Sequence, residues 1–303
     1  MNVLTVAGFH RSGTSLLTQL LHRAGLFVGD DLISEDTTNP YGHFEDWEFV
    51  RLHKALLADN GFTWHVDRPL LPYIAPDRWA HMAHLVERRG LSHTLWGFKD
   101  PRSCFFLAAW KHLIPHLKTI VIYRHWADSA YSLERRHASH LLERKGPVAL
   151  HRRFWERPDH ALLMWVEQNR ALDRYARAYP DDTLVVAVSA LEQGLPIIDL
   201  VNAAWDLGLD ALPTAETFDP NALGRRPRRQ PISRAETGAA LEKTWHDLDK
   251  LAELTQRRVQ ETAHGAWSGT TSRSGVSAVG HRHSADGERT ARVRERVPEE
   301  PRR

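Results

Sequence analysis

The chain reads as an α/β protein. It should form a mostly parallel sheet of P-loop-like type with helices on both faces, followed by a long C-terminal helix and a disordered tail. Three observations predict this. Short β-branched runs alternate with longer segments of helical apolar spacing. The run Thr119-Ile120-Val121-Ile122 has the continuous character of a parallel strand covered on both faces. The first short run leads through a glycine loop straight into an amphipathic segment.

Residues 2–7 are apolar, β-branched and followed by glycine, which predicts a buried strand. Residues 15–24 carry Leu16, Leu17, Leu20 and Leu21 at helical spacing, and Gly25 supplies a stop. The polar stretch 29–43 contains Asn39-Pro40 and two glycines and reads as an exposed loop. Helices are expected over 46–58 and 77–89, the second introduced by Pro76. A strand over 94–98 runs into Lys99-Asp100-Pro101-Arg102, and a helix over 103–113 stops near Pro115. The clearest strand is 118–123. Helices follow over 126–145 and 160–179, then a strand over 183–188 and a helix over 195–207.

Beyond Leu209 the character changes. Residues 210–231 are rich in proline and arginine and read as irregular. Residues 232–263 place Leu241, Trp245, Leu248 and Ala252 on one helical stripe. From Ser268 onward large apolar side chains are nearly absent, so burial cannot offset the entropy of ordering. The expected division is a domain over 1–267 and a disordered tail over 268–303.

The 303 residues suffice for one large α/β domain, and the formal net charge of +2 is too small to argue for nucleic acid or an anionic membrane. Any basic site must be local. The single cysteine, Cys104, excludes an intrachain disulfide and a cysteine-based zinc site. No segment has the pattern of a signal peptide or the roughly 20 apolar residues of a membrane span. The expected location is cytoplasmic.

The loop Gly8-Phe9-His10-Arg11-Ser12-Gly13-Thr14-Ser15 lies between a predicted strand and a predicted helix. That is the context of a phosphate cradle, where glycines turn backbone N–H groups inward and the helix adds its positive end. The two glycines have the spacing of a Walker A motif, but Thr14 stands where its lysine belongs. A nucleoside triphosphatase needs that lysine. Here the cation is Arg11. The alternative is a tight strand–helix turn with no ligand.

The segment His10-Arg11-Ser12-Gly13-Thr14-Ser15 resembles the 5′-phosphosulfate loop of bacterial sulfotransferases that use 3′-phosphoadenosine 5′-phosphosulfate (PAPS), in which lysine or arginine precedes Ser-Gly-Thr. The resemblance implies that Arg11 meets the bridging oxygen that leaves with the nucleotide. Ser12, Gly13, Thr14 and Ser15 would hold the 5′-phosphate. A second motif supports it. The family has an arginine ending a strand, an aspartate four residues on and a serine eight on. Arg124, Asp128 and Ser132 have that pattern after the clearest strand. An arginine there faces the crevice in which open α/β sheets bind ligands, and its fork suits a phosphate. Taken singly, each residue also has a structural explanation: a helix start, an ion pair, a solvated hydroxyl. Lys99-Asp100-Pro101-Arg102 resembles the family's lysine-x-proline segment, which would put Lys99 near the sulfuryl group in flight.

The family's small-molecule members use a histidine where this chain has Pro101, so that base is missing. The carbohydrate-type members use a glutamate from the segment after the first helix. Asn39-Pro40-Tyr41-Gly42-His43-Phe44-Glu45-Asp46 occupies that region. Glu45 is the candidate general base, with Asp46, His43 and Asp100 as substitutes; equally, Glu45 and Asp46 would serve as a helix start. No metal is expected, because fixed cations and backbone amides meet the phosphates. Arg225 to Arg229 fall where the family closes a loop over the nucleotide, or form a solvated basic loop. Tyr41, Phe44, Trp47, Trp64, Trp79 and Trp155 would line an acceptor pocket or pack the core. The pairs His81/His84 and His137/His140 have helix-face spacing and read as surface or packing residues.

The implied activity is transfer of a sulfuryl group from PAPS to a hydroxyl or amine of a carbohydrate, glycolipid or small metabolite. The rival readings are a P-loop kinase of a small metabolite and a non-catalytic nucleotide-binding module.

Overall fold

A computed structural model describes residues 1–35, 42–217 and 230–270, with side chains described as far as residue 261. Four strands form one sheet in the order β2-β1-β3-β4, all parallel: β1 (Asn2–Ala7), β2 (Leu95–Lys99), β3 (Lys118–Tyr123) and β4 (Thr183–Ala187). The helices are α1 (Thr14–Arg23), α2 (Trp47–Asp59), α3 (Pro76–Ser92), α4 (Leu107–Leu113), α5 (Trp126–Leu142), α6 (Val148–Glu156), α7 (His160–Ala178), α8 (Val188–Glu192), α9 (Ile197–Trp205) and α10 (Ala235–Thr270).

The expected α/β architecture is the one observed, and strand periodicity explains it. Leu4, Val6, Ile120, Ile122, Leu184 and Val186 face one side and pack on leucines of α1 and on Ile197, Ile198 and Val201 of α9. Val121, Tyr123 and Val185 face the other side and meet Leu133 of α5, Trp165 and Leu172 of α7 and Leu248 of α10. A third cluster joins Trp96 and Phe98 of β2 to Phe49, Leu85 and Trp110.

The exposed edge of β4 would leave ladder groups unpaired. The α10 helix covers it: Thr255 Oγ1 accepts from Val185 N–H at 3.1 Å, and Arg258 donates to the Thr183 carbonyl at 3.2 Å. At the opposite edge Gly97 N–H donates to the Phe27 carbonyl at 2.8 Å.

Several boundaries differ from the sequence reading. The expected helix over 103–113 opens as a 3-10 turn over Pro101–Phe105 and becomes α-helical only at Leu107. The expected helix over 126–145 ends at Leu142, and a separate helix, α6, follows. Arg144 and Gly146, both left-handed at φ 53° and 68°, make the turn between them. The short helix α8 between β4 and α9 was not expected. The expected helix over 232–263 runs over Ala235–Thr270, so residues 268–270 of the expected tail are helical; the rest of that tail, Arg225 to Arg229, and Asn39 to Tyr41 lie outside the described residues. Among the described residues, no helix is long and apolar enough to cross a membrane.

Candidate active site

The strand order creates a switch point. From β1 the chain crosses to β2 on one side, and β3 lies on the other. Open α/β sheets bind ligands in the crevice outside the strand ends at such a point. Three segments named from the sequence emerge there from neighbouring strands: the loop from β1, Lys99 from β2 and Arg124 from β3.

Backbone geometry shapes the loop. A Cβ at position 8 would lie far inside contact distance of the Ile122 carbonyl oxygen and 2.8 Å from Thr14 Cγ2, so only glycine fits. Arg11 and Gly13 are both left-handed, at φ 65° and 85°. Gly13 is the N-cap of α1, and no side chain caps the helix. The first amides of α1 therefore point into the crevice without intrahelical partners. Ser12 is fully buried, and its hydroxyl has no hydrogen-bond partner among the described residues. Buried hydroxyls are normally paired, so Ser12 marks a place for a polar ligand atom.

The two expected phosphate motifs meet. Arg11 Nε donates to Ser132 Oγ at 3.0 Å, and Arg124 NH1 donates to the Arg11 carbonyl at 3.4 Å. Trp165 Nε1 donates to the Arg124 carbonyl at 3.1 Å, fixing the end of β3 from α7. Asp128 stands 4.0 Å from Arg124 Nε.

On the other flank lies a buried network of alternating charge. Lys99 Nζ is 2.9 Å from Glu45 Oε1 and 3.3 Å from Ser15 Oγ. Arg102 NH1 reaches Glu45 Oε2 at 3.5 Å and Asp100 Oδ1 at 2.5 Å. Asp100 Oδ2 accepts from His53 Nδ1 at 2.9 Å. Trp110 Nε1 can only donate, and it donates to His53 Nε2 at 2.9 Å, so the proton of a neutral His53 sits on Nδ1. Two cations thus face two carboxylates. Burial lowers the Lys99 pKa from its usual value, against the pull of Glu45. Burial opposes ionisation of Asp100, but Arg102 and His53 outweigh it and hold the carboxyl below its usual range.

The candidate bases now separate. Asp46 is the helix cap: Oδ1 accepts from Glu48 N–H at 2.8 Å, and Oδ2 pairs with Arg89. Asp100 is committed to His53 and Arg102. The His43 carbonyl accepts from Ser15 Oγ at 3.2 Å, so this segment lies against α1. Glu45 does not cap α2; it faces Lys99, close to the loop.

Sequence reasoning passed over Arg102, although it stood in the quoted segment, and gave no role to His53 or Trp110, whose link to Asp100 has no local signal. It also left out the surroundings of His10. That ring is half-buried and meets Trp64 edge-on at 4.9 Å, while Trp64 lies 3.9 Å from His65. Burial, followed by the charge of Arg102, pulls the His10 pKa well below its usual value. His65 Nδ1 is 2.8 Å from His160 Nε2, and His160 Nδ1 is 3.0 Å from Asp67. Beside them a recess of about 380 Å³ is lined by His65, Asp67, Arg68, Arg153 and Arg157. Of the other aromatic candidates, Trp155 is exposed and Trp79 packs against His112.

No protein-family model and no curated protein matches the chain. Among solved structures, a sulfotransferase from Alicyclobacillus acidocaldarius is similar at 15% identity and a TM-score of 0.47, over 84% of this chain and 96% of that one. A sulfotransferase domain from the curacin biosynthetic pathway is similar at 14% identity and a TM-score of 0.39, over 86% of this chain and 96% of that one. At such identities and scores neither likeness bears on the chemistry of this chain.

Proposed function

We propose that the protein is a sulfotransferase that takes its sulfuryl group from PAPS. The observation that carries this reading is the convergence of Arg11 and the loop amides with Arg124 and Ser132 at the ends of two neighbouring strands. Two anionic groups of one nucleotide need two such cradles. A triphosphate needs one, with a lysine where Thr14 stands.

In this reading the 5′-phosphosulfate lies on the amides of Gly13, Thr14 and Ser15, with Ser12 Oγ as a further donor. The 3′-phosphate meets the fork of Arg124 and the Ser132 hydroxyl. The acceptor is a hydroxyl or amine of a carbohydrate, glycolipid or small metabolite. Its oxygen or nitrogen attacks sulfur in line and passes its proton to Glu45. The bond from sulfur to the 5′-phosphate oxygen breaks, and its electron pair leaves with 3′-phosphoadenosine 5′-phosphate. Arg11 and Lys99 stabilise the charge that builds on that oxygen. Lys99 is poised for this, since it already spans Glu45 and the loop residue Ser15. Turning Lys99 toward the leaving group releases the Glu45 oxygen that receives the proton. The cations and amides balance the phosphates without a metal.

The test is incubation with PAPS labelled at sulfur and a panel of acceptors, beside a thermal-shift comparison of 3′-phosphoadenosine 5′-phosphate with ATP–magnesium. Label transfer and stabilisation by the bisphosphate are expected. Stabilisation by ATP–magnesium alone would overturn the reading in favour of a kinase.

A further inference from the structure

Away from the crevice, α5 and α6 bring three histidines together. His137 and His140 lie one turn apart on α5, and His151 comes from α6. Each offers a ring nitrogen, and these nitrogens all lie within 4.8 Å of one another. Helix-face spacing in the sequence links His137 to His140 but names no third ligand. The left-handed turn between the helices supplies one.

The spacing suits a tetrahedral metal. A metal–nitrogen bond of about 2.0–2.1 Å puts an imidazole centroid about 3.2 Å from the ion, so two rings in tetrahedral positions have centroids about 5.2 Å apart. The observed separations are 5.5 Å for His137–His140, 4.9 Å for His137–His151 and 5.1 Å for His140–His151. The orientation of His151 is set from behind. Its Nε2 can only donate to the Lys145 carbonyl, at 2.9 Å, which leaves the lone pair on Nδ1. Such a carbonyl behind the ring is the usual support of a metal-binding histidine. That Nδ1 stands 2.7 Å from His137 Nδ1, so the proton between them belongs to His137. Metal binding moves this proton to His137 Nε2, and the two nitrogens part by roughly 0.6 Å to reach tetrahedral spacing.

We propose that His137, His140 and His151 form a binding site for a divalent transition metal of the zinc class, with the fourth position open to water. The ligand set makes the choice. Three imidazoles, with no carboxylate joining them among the described residues, suit zinc, nickel or copper and disfavour magnesium and calcium. His140 is the partly exposed member, so an ion and its water can reach the cluster from that side. The rest of the site is preformed by packing: His137 stacks on Phe154 at 4.5 Å and on Trp64 at 5.3 Å. A bound ion would tie α5, which carries Ser132, to α6.

The experiment uses the untagged full chain, stripped with chelator and titrated with Co²⁺ and then Zn²⁺. One Co²⁺ per chain with the visible spectrum of a four-coordinate site is expected, displaced by one Zn²⁺. His140→Ala and His151→Ala should each weaken binding at least ~10-fold with circular dichroism unchanged. A control with His281→Ala and His283→Ala, a His-x-His pair in the sequence beyond residue 270, should bind as the parent does. If His151→Ala misfolds, the partly exposed His140→Ala decides alone. Absence of stoichiometric binding, or binding that both histidine variants retain, would overturn the proposal. Sulfuryl transfer plays no part in these readouts.

Discussion

The Arg11 side chain reaches across 121 residues of sequence to donate to Ser132 Oγ at 3.0 Å. One residue follows β1 and the other lies two turns into the helix after β3, so this bond closes the crevice between the two cradles. Under the proposed function, a bound donor would take the place of Ser132 as the partner of Arg11. Arg11→Ala should therefore lower kcat at least ~10²-fold, as loss of a transition-state donor does, while moving Tm little. Comparable losses in both, measured by steady-state kinetics and thermal unfolding, would remove Arg11 from the chemistry.

Arg124 tests the 3′-phosphate assignment separately. Loss of a charge-assisted fork costs about 1.5–3 kcal/mol. Arg124→Ala should thus weaken 3′-phosphoadenosine 5′-phosphate by roughly 10–150-fold by calorimetry. Adenosine 5′-phosphosulfate has no 3′-phosphate, and its affinity should stay within a few-fold. Equal losses for both ligands would mean that Arg124 acts through the loop carbonyl it holds, not through the ligand.

Lys99 and Glu45 form a buried pair, each nearly inaccessible to water. Stranding one charge of such a pair costs about 3–5 kcal/mol, but Arg102 still reaches Glu45 at 3.5 Å. Lys99→Met should therefore lower stability by less than that, and adding Glu45→Gln should recover part of the loss. Glu45→Gln by itself should leave donor affinity within a few-fold and reduce kcat by roughly 10²–10⁴ if the carboxylate takes the acceptor's proton. A variant with near-normal kcat would return Glu45 to a purely structural role.

What was legible in the sequence is what is local. The β1–loop–α1 unit and the Arg124–Ser132 segment each fit within a few residues of a strand, so glycine spacing and apolar periodicity reveal them. The break before Gly146-Pro147 was legible, but helix α6 beyond it was passed over, and the left-handed φ of Arg144 and Gly146 ends α5 three residues earlier than the apolar pattern suggests. Networks joined by the fold were hidden too. His53 finds Asp100 across 47 residues, and His151 joins His137 and His140 only once α6 folds back on α5. Separating Asp46 as cap from Glu45 as pair partner likewise needed the entry angle of α2, which adjacent acidic residues do not encode.

The buried histidines predict acid sensitivity. Burial, reinforced by His160, lowers the His65 pKa to about 2, and burial, reinforced by His151, lowers that of His137 to about 3. Both rings are neutral in the folded chain at pH 5–7, whereas in the unfolded chain they take up protons below pH ~6.5. The unfolded state then binds more protons, so stability falls as pH drops. Each ring contributes about 1.4 kcal/mol per pH unit, and together they remove about 3 kcal/mol by pH 5.5. Asp100 adds to this only in stronger acid: its folded pKa is depressed, so its contribution holds above about pH 4 and fades below. Denaturant unfolding of metal-free protein should show a lower midpoint at pH 5.5 than at 7.5, and His65→Gln should flatten the dependence. Equal midpoints at the two pH values would mean that these rings gain protons in the folded chain, through openings around Trp64 and Phe154 that let water reach them.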